Sequence, residues 1–98
     1  MSPIGNSIDE IWANIRSGTS GIGPITRFDT TDFQSKIAAE VKDFKPADYM
    51  DRKEARKMDI FSQFASAASL KALEDADLDT SGIDPERLAV ILGVGVGG

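Results

Sequence analysis

The chain has 98 residues, a net charge of −5 and neither cysteine nor histidine, which together exclude disulfides, thiolate nucleophiles, imidazole bases and zinc sites of the usual kind. That length fits one small domain, burying roughly 60 to 70% of the surface its unfolded chain exposes, and the acidic balance argues against a nucleic-acid partner. No apolar run approaches the ~20 residues that cross a bilayer, and MSPIGNS lacks the charged and apolar regions of a secretory leader, so a cytoplasmic location away from membranes is expected.

In chain order, Ser7 and Glu10 have the spacing of a capping box, which predicts a helix starting at Ser7. Ile8, Ile11, Trp12 and Ile15 recur on one of its faces, and Gly18 supplies the left-handed residue that ends it. The stretch from Thr19 to Gln34 is rich in Gly, Thr and Asp without a period and reads as a long surface loop. Such a loop is unusual in a small domain and implies that it lies over something larger. In KIAAEVKDF, Ile37, Ala39 and Val41 alternate with Lys36, Glu40 and Lys42, which predicts a half-buried strand.

Pro46 opens a short helical turn through Asp48 and Tyr49, and Asp51 with Glu54 repeats the cap pattern at the start of DRKEARKM, predicting a second short helix. Met58 to Ala76 carries the strongest helical pattern, with Phe61, Phe64, Ala65, Ala68, Ala72, Leu73 and Ala76 on one side. Serines and alanines fill its other side, so neighbours on more than one face are expected. Asp84 is a cap for a brief turn at Pro85. The closing run Leu88 to Val94 is continuously apolar and reads as a strand buried on both faces, in the middle of a sheet flanked by helices.

Three motifs invite chemistry. Gly93, Gly95 and Gly98 match G-x-G-x-x-G, but that fingerprint works by opening a helix that holds a pyrophosphate, with an acidic ribose ligand further on. Both would lie beyond Gly98, so a close-packing glycine turn is the simpler reading. Asp75, Asp77, Asp79 and Glu86 have the 1, 3, 5, 12 spacing of a calcium loop, yet Thr80 stands at its glycine position and Gly82 at its apolar one. No metal and no cofactor are expected. The stretch RKEARK places Lys53, Arg56 and Lys57 on one side of a helix. They form either a solvated face balanced by Asp51, Glu54 and Asp59 or a docking site for an acidic partner.

Taken in order, SPIGNS, the Trp12 helix, SGIGPITRFDTTDF, KIAAEVKDF, YMDRKEARKMD, the alanine-rich helix, IDPERLAVILG and GVGVGG resemble the N-terminal part of the beta-ketoacyl-acyl-carrier-protein synthases. The likeness is to the type II elongating enzymes of bacterial fatty acid synthesis. It implies an α/β, thiolase-like fold of two similar halves. Residues 1–98 would be a helix-rich N-terminal piece of the first half with few strands, lacking the first strand and everything after GVGVGG. The family's cysteine nucleophile and two histidines have no counterparts here, so no catalytic residue is assigned and the chain alone is expected to be inactive.

The same resemblance makes Val96 the gate of the acyl pocket and turns Lys53, Arg56 and Lys57 toward acyl carrier protein. Asp77 replaces the glycine expected after the long helix, which implies strain at that end. Val94 stands where a small hydroxyl residue is common. The expected function is fatty acid elongation by decarboxylative condensation; the alternative is a noncatalytic module that binds carrier protein or complements a split synthase. Self-association is expected through the uncovered closing strand and the apolar helix.

Overall fold

Ser7 and Gly18 define the first helix, α1 (Ile8–Ser17), in a computed structural model that describes residues 1–98. The Ser7 hydroxyl accepts from the Glu10 N–H at 3.2 Å. The Glu10 carboxylate accepts from the Asn6 N–H at 2.8 Å, so the reciprocal half of the capping box closes one residue before the cap. Asp9 and Glu10 in the first turn and Arg16 in the last complement the helix dipole. At the far end Gly18 takes φ 70°, and the Thr19 N–H donates to the Asn14 carbonyl at 2.9 Å while the Gly18 N–H donates to that of Ile15 at 3.1 Å. This is a complete Schellman closure.

The chain divides into two units, Met1–Phe44 and Lys45–Gly98. In the first, Ser2 and Gly5 exchange backbone hydrogen bonds of 2.8 and 3.1 Å, forming a tight turn that packs on α1. Gly5 is buried, and a Cβ there would lie 2.8 Å from Glu10 Cγ and 3.0 Å from the Ile11 backbone nitrogen. Only glycine permits that approach. Asn14 donates to the Ile4 carbonyl at 2.6 Å and Asn6 to the Lys42 carbonyl at 2.7 Å, tying the turn to the helix and to the chain beyond the sheet.

The sheet is a two-stranded antiparallel hairpin of β1 (Ile22–Pro24) and β2 (Ile37–Ala39), with Ile22 opposite Ala39 and Pro24 opposite Ile37. Here β1 falls inside the stretch expected to be loop, because a Gly-Pro strand carries no β pattern of its own. The strand expected over KIAAEVKDF shortens to three residues and turns the other way, with Ala38 half-buried while Ile37 and Ala39 are exposed. Pairing with β1 sets that phase, and a one-residue change of phase exchanges the two faces. Between the strands, Lys36 Nζ donates to the carbonyls of Thr30 and Thr31, and Phe28 meets Phe33 edge-on with ring centroids 5.3 Å apart.

In the second unit a 3₁₀ turn (Pro46–Asp48) precedes α2 (Arg52–Ala55), whose cap Asp51 accepts from the Lys53 N–H at 2.7 Å. Helix α3 (Ile60–Asp75) follows Asp59, whose side chain makes no capping hydrogen bond. The Gln63 amide bridges the two helices, donating to the Ala55 and Met58 carbonyls at 2.9 and 3.0 Å.

Every residue from Phe61 to Ser66 is half-buried and Ala67 is fully buried, so the first turns of α3 are covered on more than one face, as expected. The expected apolar side does not persist, since Ala68, Ala72, Leu73 and Ala76 are exposed. The helix closes with a second Schellman motif, the Leu78 N–H donating to Leu73 at 3.3 Å and the Asp77 N–H to Glu74 at 3.1 Å. Asp77 takes φ 47° there, as the replaced glycine implied.

After a second 3₁₀ turn (Pro85–Arg87), capped by Asp84, the expected strand Leu88 to Val94 is absent. A strand exists only where another backbone pairs with it, and no segment does so here. Val90 and Ile91 are accordingly 75% and 91% exposed. The fold is thus helix-rich with few strands, its sheet small and antiparallel. No helix is long and apolar enough to cross a membrane.

Candidate functional site

The basic group expected from RKEARK lies on α2 and the turn that leaves it. Asp51 supplies a side-chain acceptor to the first turn, so this one-turn helix has a local reason to form. Arg56 continues the helical backbone at φ −68° and ψ −17°, keeping Lys53, Arg56 and Lys57 within about one turn of each other. All three side chains are exposed. Lys57 Nζ sits 3.6 Å from Glu54 Oε1 in an exposed i, i+3 pair, whereas Lys53 and Arg56 form no ion pair. The group therefore keeps two unneutralised cations and a third that water and a partner can compete for.

What steadies this ridge was not readable as function. Gln63, on α3, ties the end of α2 to the start of α3 through its two carbonyl contacts. The signal, in retrospect, is one long polar side chain in helical turns otherwise made of apolar and small residues. Lys71 Nζ lies 5.6 Å over the Tyr49 ring, a second link between α3 and the segment leading into α2.

Two cavities provide the other candidates. One of about 250 Å³ in the first unit is lined by Asn6, Glu10, Asn14, Lys42 and Asp43 among others. Three of its polar side chains are engaged with the chain itself: Glu10 accepts from the Asn6 N–H, Asn14 donates to the Ile4 carbonyl and Asn6 to the Lys42 carbonyl. The other, about 330 Å³ around Leu73 and Asp77, is the shallow recess of the α3 closure.

Val96 is 90% exposed and lines neither cavity. A Cβ on Gly93 or Gly95 would meet nothing within 4 Å, whereas one on Gly98 would lie 2.5 Å from Asp59 Cγ, so of the three motif glycines only Gly98 is closely packed. No three Asp or Glu side chains converge into a metal-ligating group, and the calcium-like spacing around Asp79 is not drawn together. Asp79 instead accepts from the Ser81 N–H at 2.9 Å, and hydrogen bonds from the Ser81 side chain and backbone hold its carboxyl below the ordinary range. In the first unit the Thr31 side chain and N–H do the same for Asp29, and the Thr26 hydroxyl, with N–H groups of Thr26 and Arg27, for Glu40.

Residues 1–98 match the family model described as "Beta-ketoacyl synthase, N-terminal domain". Among similar curated proteins, the 3-oxoacyl-[acyl-carrier-protein] synthase 2 of Synechocystis sp. is 43% identical over all 98 residues, that of Coxiella burnetii 44% and that of Staphylococcus aureus 43%. In each case the match covers 100% of this chain and 24% of the relative.

Proposed function

The chain belongs to the family of beta-ketoacyl synthase N-terminal domains, and on that premise we propose that it supplies the carrier-protein-docking part of an enzyme that elongates fatty acyl chains. The condensing chemistry in this reading falls to a cysteine and two histidines outside residues 1–98, since the chain contains neither residue type. Residues 1–98 are then an incomplete N-terminal ketosynthase region. Leu88 to Val94 becomes a central strand of a thiolase-like α/β sheet once other strands pair with it, and Val96 joins the wall of an acyl pocket. Until then the exposed apolar run favours association of the chain with itself.

The observation that carries the docking reading is the exposed ridge of Lys53, Arg56 and Lys57, held on a capped turn in a chain of net charge −5. Such a ridge attracts an acidic partner by charge, and each exposed pair contributes about 0.2 to 1 kcal/mol. Three such pairs support a weak, salt-sensitive encounter.

Titration of the chain with acyl carrier protein at low salt tests this. The Arg56→Glu/Lys57→Glu variant should lose the salt-sensitive part, while Lys42→Glu/Lys45→Glu should retain most of it. Equal titrations of the two variants, or no binding by the parent chain, would overturn the docking role. In the same experiment, acyl and malonyl carrier proteins should leave the chain's mass unchanged. A second reading, a noncatalytic module that binds carrier protein on its own or completes a split synthase, is favoured by the lack of cysteine and histidine. It predicts binding together with recovery of condensing activity only when the remaining part of a synthase is added.

A further inference from the structure

Arg56 and Lys57 are the corner residues of a turn. The Met58 N–H donates to the Ala55 carbonyl at 3.2 Å, closing the turn 55–58 where α2 ends. Ala55 and Met58, at its two ends, are half-buried, whereas Arg56 and Lys57 between them are exposed. Gln63 reaches both ends from the first turn of α3, its side-chain nitrogen donating to the Ala55 carbonyl at 2.9 Å and to the Met58 carbonyl at 3.0 Å. A primary amide nitrogen carries two protons, and this one gives both to the same turn.

The turn needs such a hold. A helix of four residues is far below the length at which a helix sustains itself, and its last carbonyls have no donors within it. Its start has a local device, the Asp51 cap, which fixes the Lys53 N–H. Its exit has no left-handed residue to close it, since Arg56 takes φ −68° and ψ −17° and no positive φ follows. Gln63 supplies the closure from a longer helix whose first turns are half-buried. About two turns further along α3, Lys71 over the Tyr49 ring holds the segment that enters α2. Two of the three cations of the ridge therefore stand on backbone that a neighbouring helix fixes.

We propose that Gln63 is the positioning residue of the basic ridge: by gripping both ends of the 55–58 turn, it presents Arg56 and Lys57 in the arrangement that an acidic carrier protein meets. This role rests on the docking reading of the ridge, and Gln63 itself makes no contact with the partner. Its basis is preorganisation. Binding must order two long cationic side chains and the turn beneath them, and less freedom is lost when the turn is already fixed. Gln63 is neutral, so it acts on the fit at contact and leaves the long-range attraction to the cations.

Titration of acyl carrier protein with the 98-residue chain at low salt, followed by the carrier protein's NMR shifts, tests the role. Gln63→Met keeps the side chain's length and the protein's charge but removes both donors. It should weaken binding ~5-fold, and exchange of the Met58 amide, which closes the turn, should quicken. In an Arg56→Ala/Lys57→Ala background, where Lys53 supports the residual binding, the same change should cost less than ~1.5-fold, because the side chains it positions are gone. A general loosening of the fold would instead lower binding by the same factor in both backgrounds. Gln63→Asn, whose amide is one methylene too short to reach both carbonyls, should reproduce the loss without adding an apolar group to α3, and it decides the question if Gln63→Met loses helix content. Parent-like binding by both Gln63 variants overturns the proposal while leaving the docking reading intact, as does an equal loss in the two backgrounds. A parent chain that binds no carrier protein overturns the docking reading, and the role of Gln63 with it.

Discussion

Helices α1 and α3 end alike and begin differently. Both finish in a Schellman closure with a left-handed residue just past the helix, but that residue is Gly18 in one and Asp77 in the other. At the start, Ser7 accepts a hydrogen bond from the first turn of α1, whereas Asp59 gives none to α3. Helix α1 carries its boundaries in local chemistry. Helix α3 is held instead by its surroundings, through half-buried first turns, Ala67 and the Gln63 bridge. A helix of the first kind tolerates an uncovered apolar side, and one of the second kind depends on cover.

Substitutions at the two closures test that contrast most strongly. Gly18→Ala introduces a Cβ that meets nothing within 4 Å, so its cost is purely conformational, about 1 to 2 kcal/mol. Native-state hydrogen exchange should show the loss in the amides of α1. An unchanged exchange pattern would mean that α1 does not rely on its own closure. The helix starts come next. Ser7→Ala should cost about 1 kcal/mol, while Asp59→Ala should cost less than ~0.5, since no capping bond is lost. Equal losses would erase the distinction between the helices.

The reverse change at the other closure, Asp77→Gly, should stabilise α3 by about 0.5 to 1 kcal/mol by relieving the left-handed aspartate. Thermal unfolding followed by circular dichroism reads this, and a destabilised variant would show that the aspartate carboxylate does more than occupy the position. The smallest effect concerns pH. Glu40 is held below its ordinary 4.5, and Asp29 and Asp79 below 3.8. A lowered folded value means that each carboxylate stabilises the fold above its ordinary value and loses that contribution as pH falls through the lowered one. Carboxyl titration by NMR should place Glu40 below 4.5, and Thr26→Val should return it toward that value.

The sequence revealed those features whose causes lie within a few residues. Ser7, Gly18, Asp51 and Asp84 cap or close their elements as expected, and charged Lys53, Arg56 and Lys57 are exposed as charge demands. What escaped depends on a second segment. The β1 strand exists because residues 37–39 pair with it, and the inward face of β2 follows from that register rather than from its own alternation. Leu88 to Val94 has the composition of a central strand, but composition cannot supply the pairing backbone. In α3 alanine occurs on every side, so the pattern fixed the helix but not which residues it covers. Likewise the ridge on α2 was legible and its brace, Gln63, was not.

The loop between β1 and β2 has a consequence for protease digestion. A trypsin-like protease needs a free basic side chain on backbone it can draw out straight. At one end of the loop the Lys36 ammonium is occupied by the carbonyls of Thr30 and Thr31, across a turn further pinned by Asp29 on Thr31 and by the Phe28–Phe33 contact. Arg27, at the other end, is exposed, and its only hold is on the Glu40 carboxylate, which attracts its guanidinium and accepts from its N–H. Limited digestion should therefore nick the hairpin after Arg27 well before it cuts after Lys36, although the two residues bracket the same exposed loop.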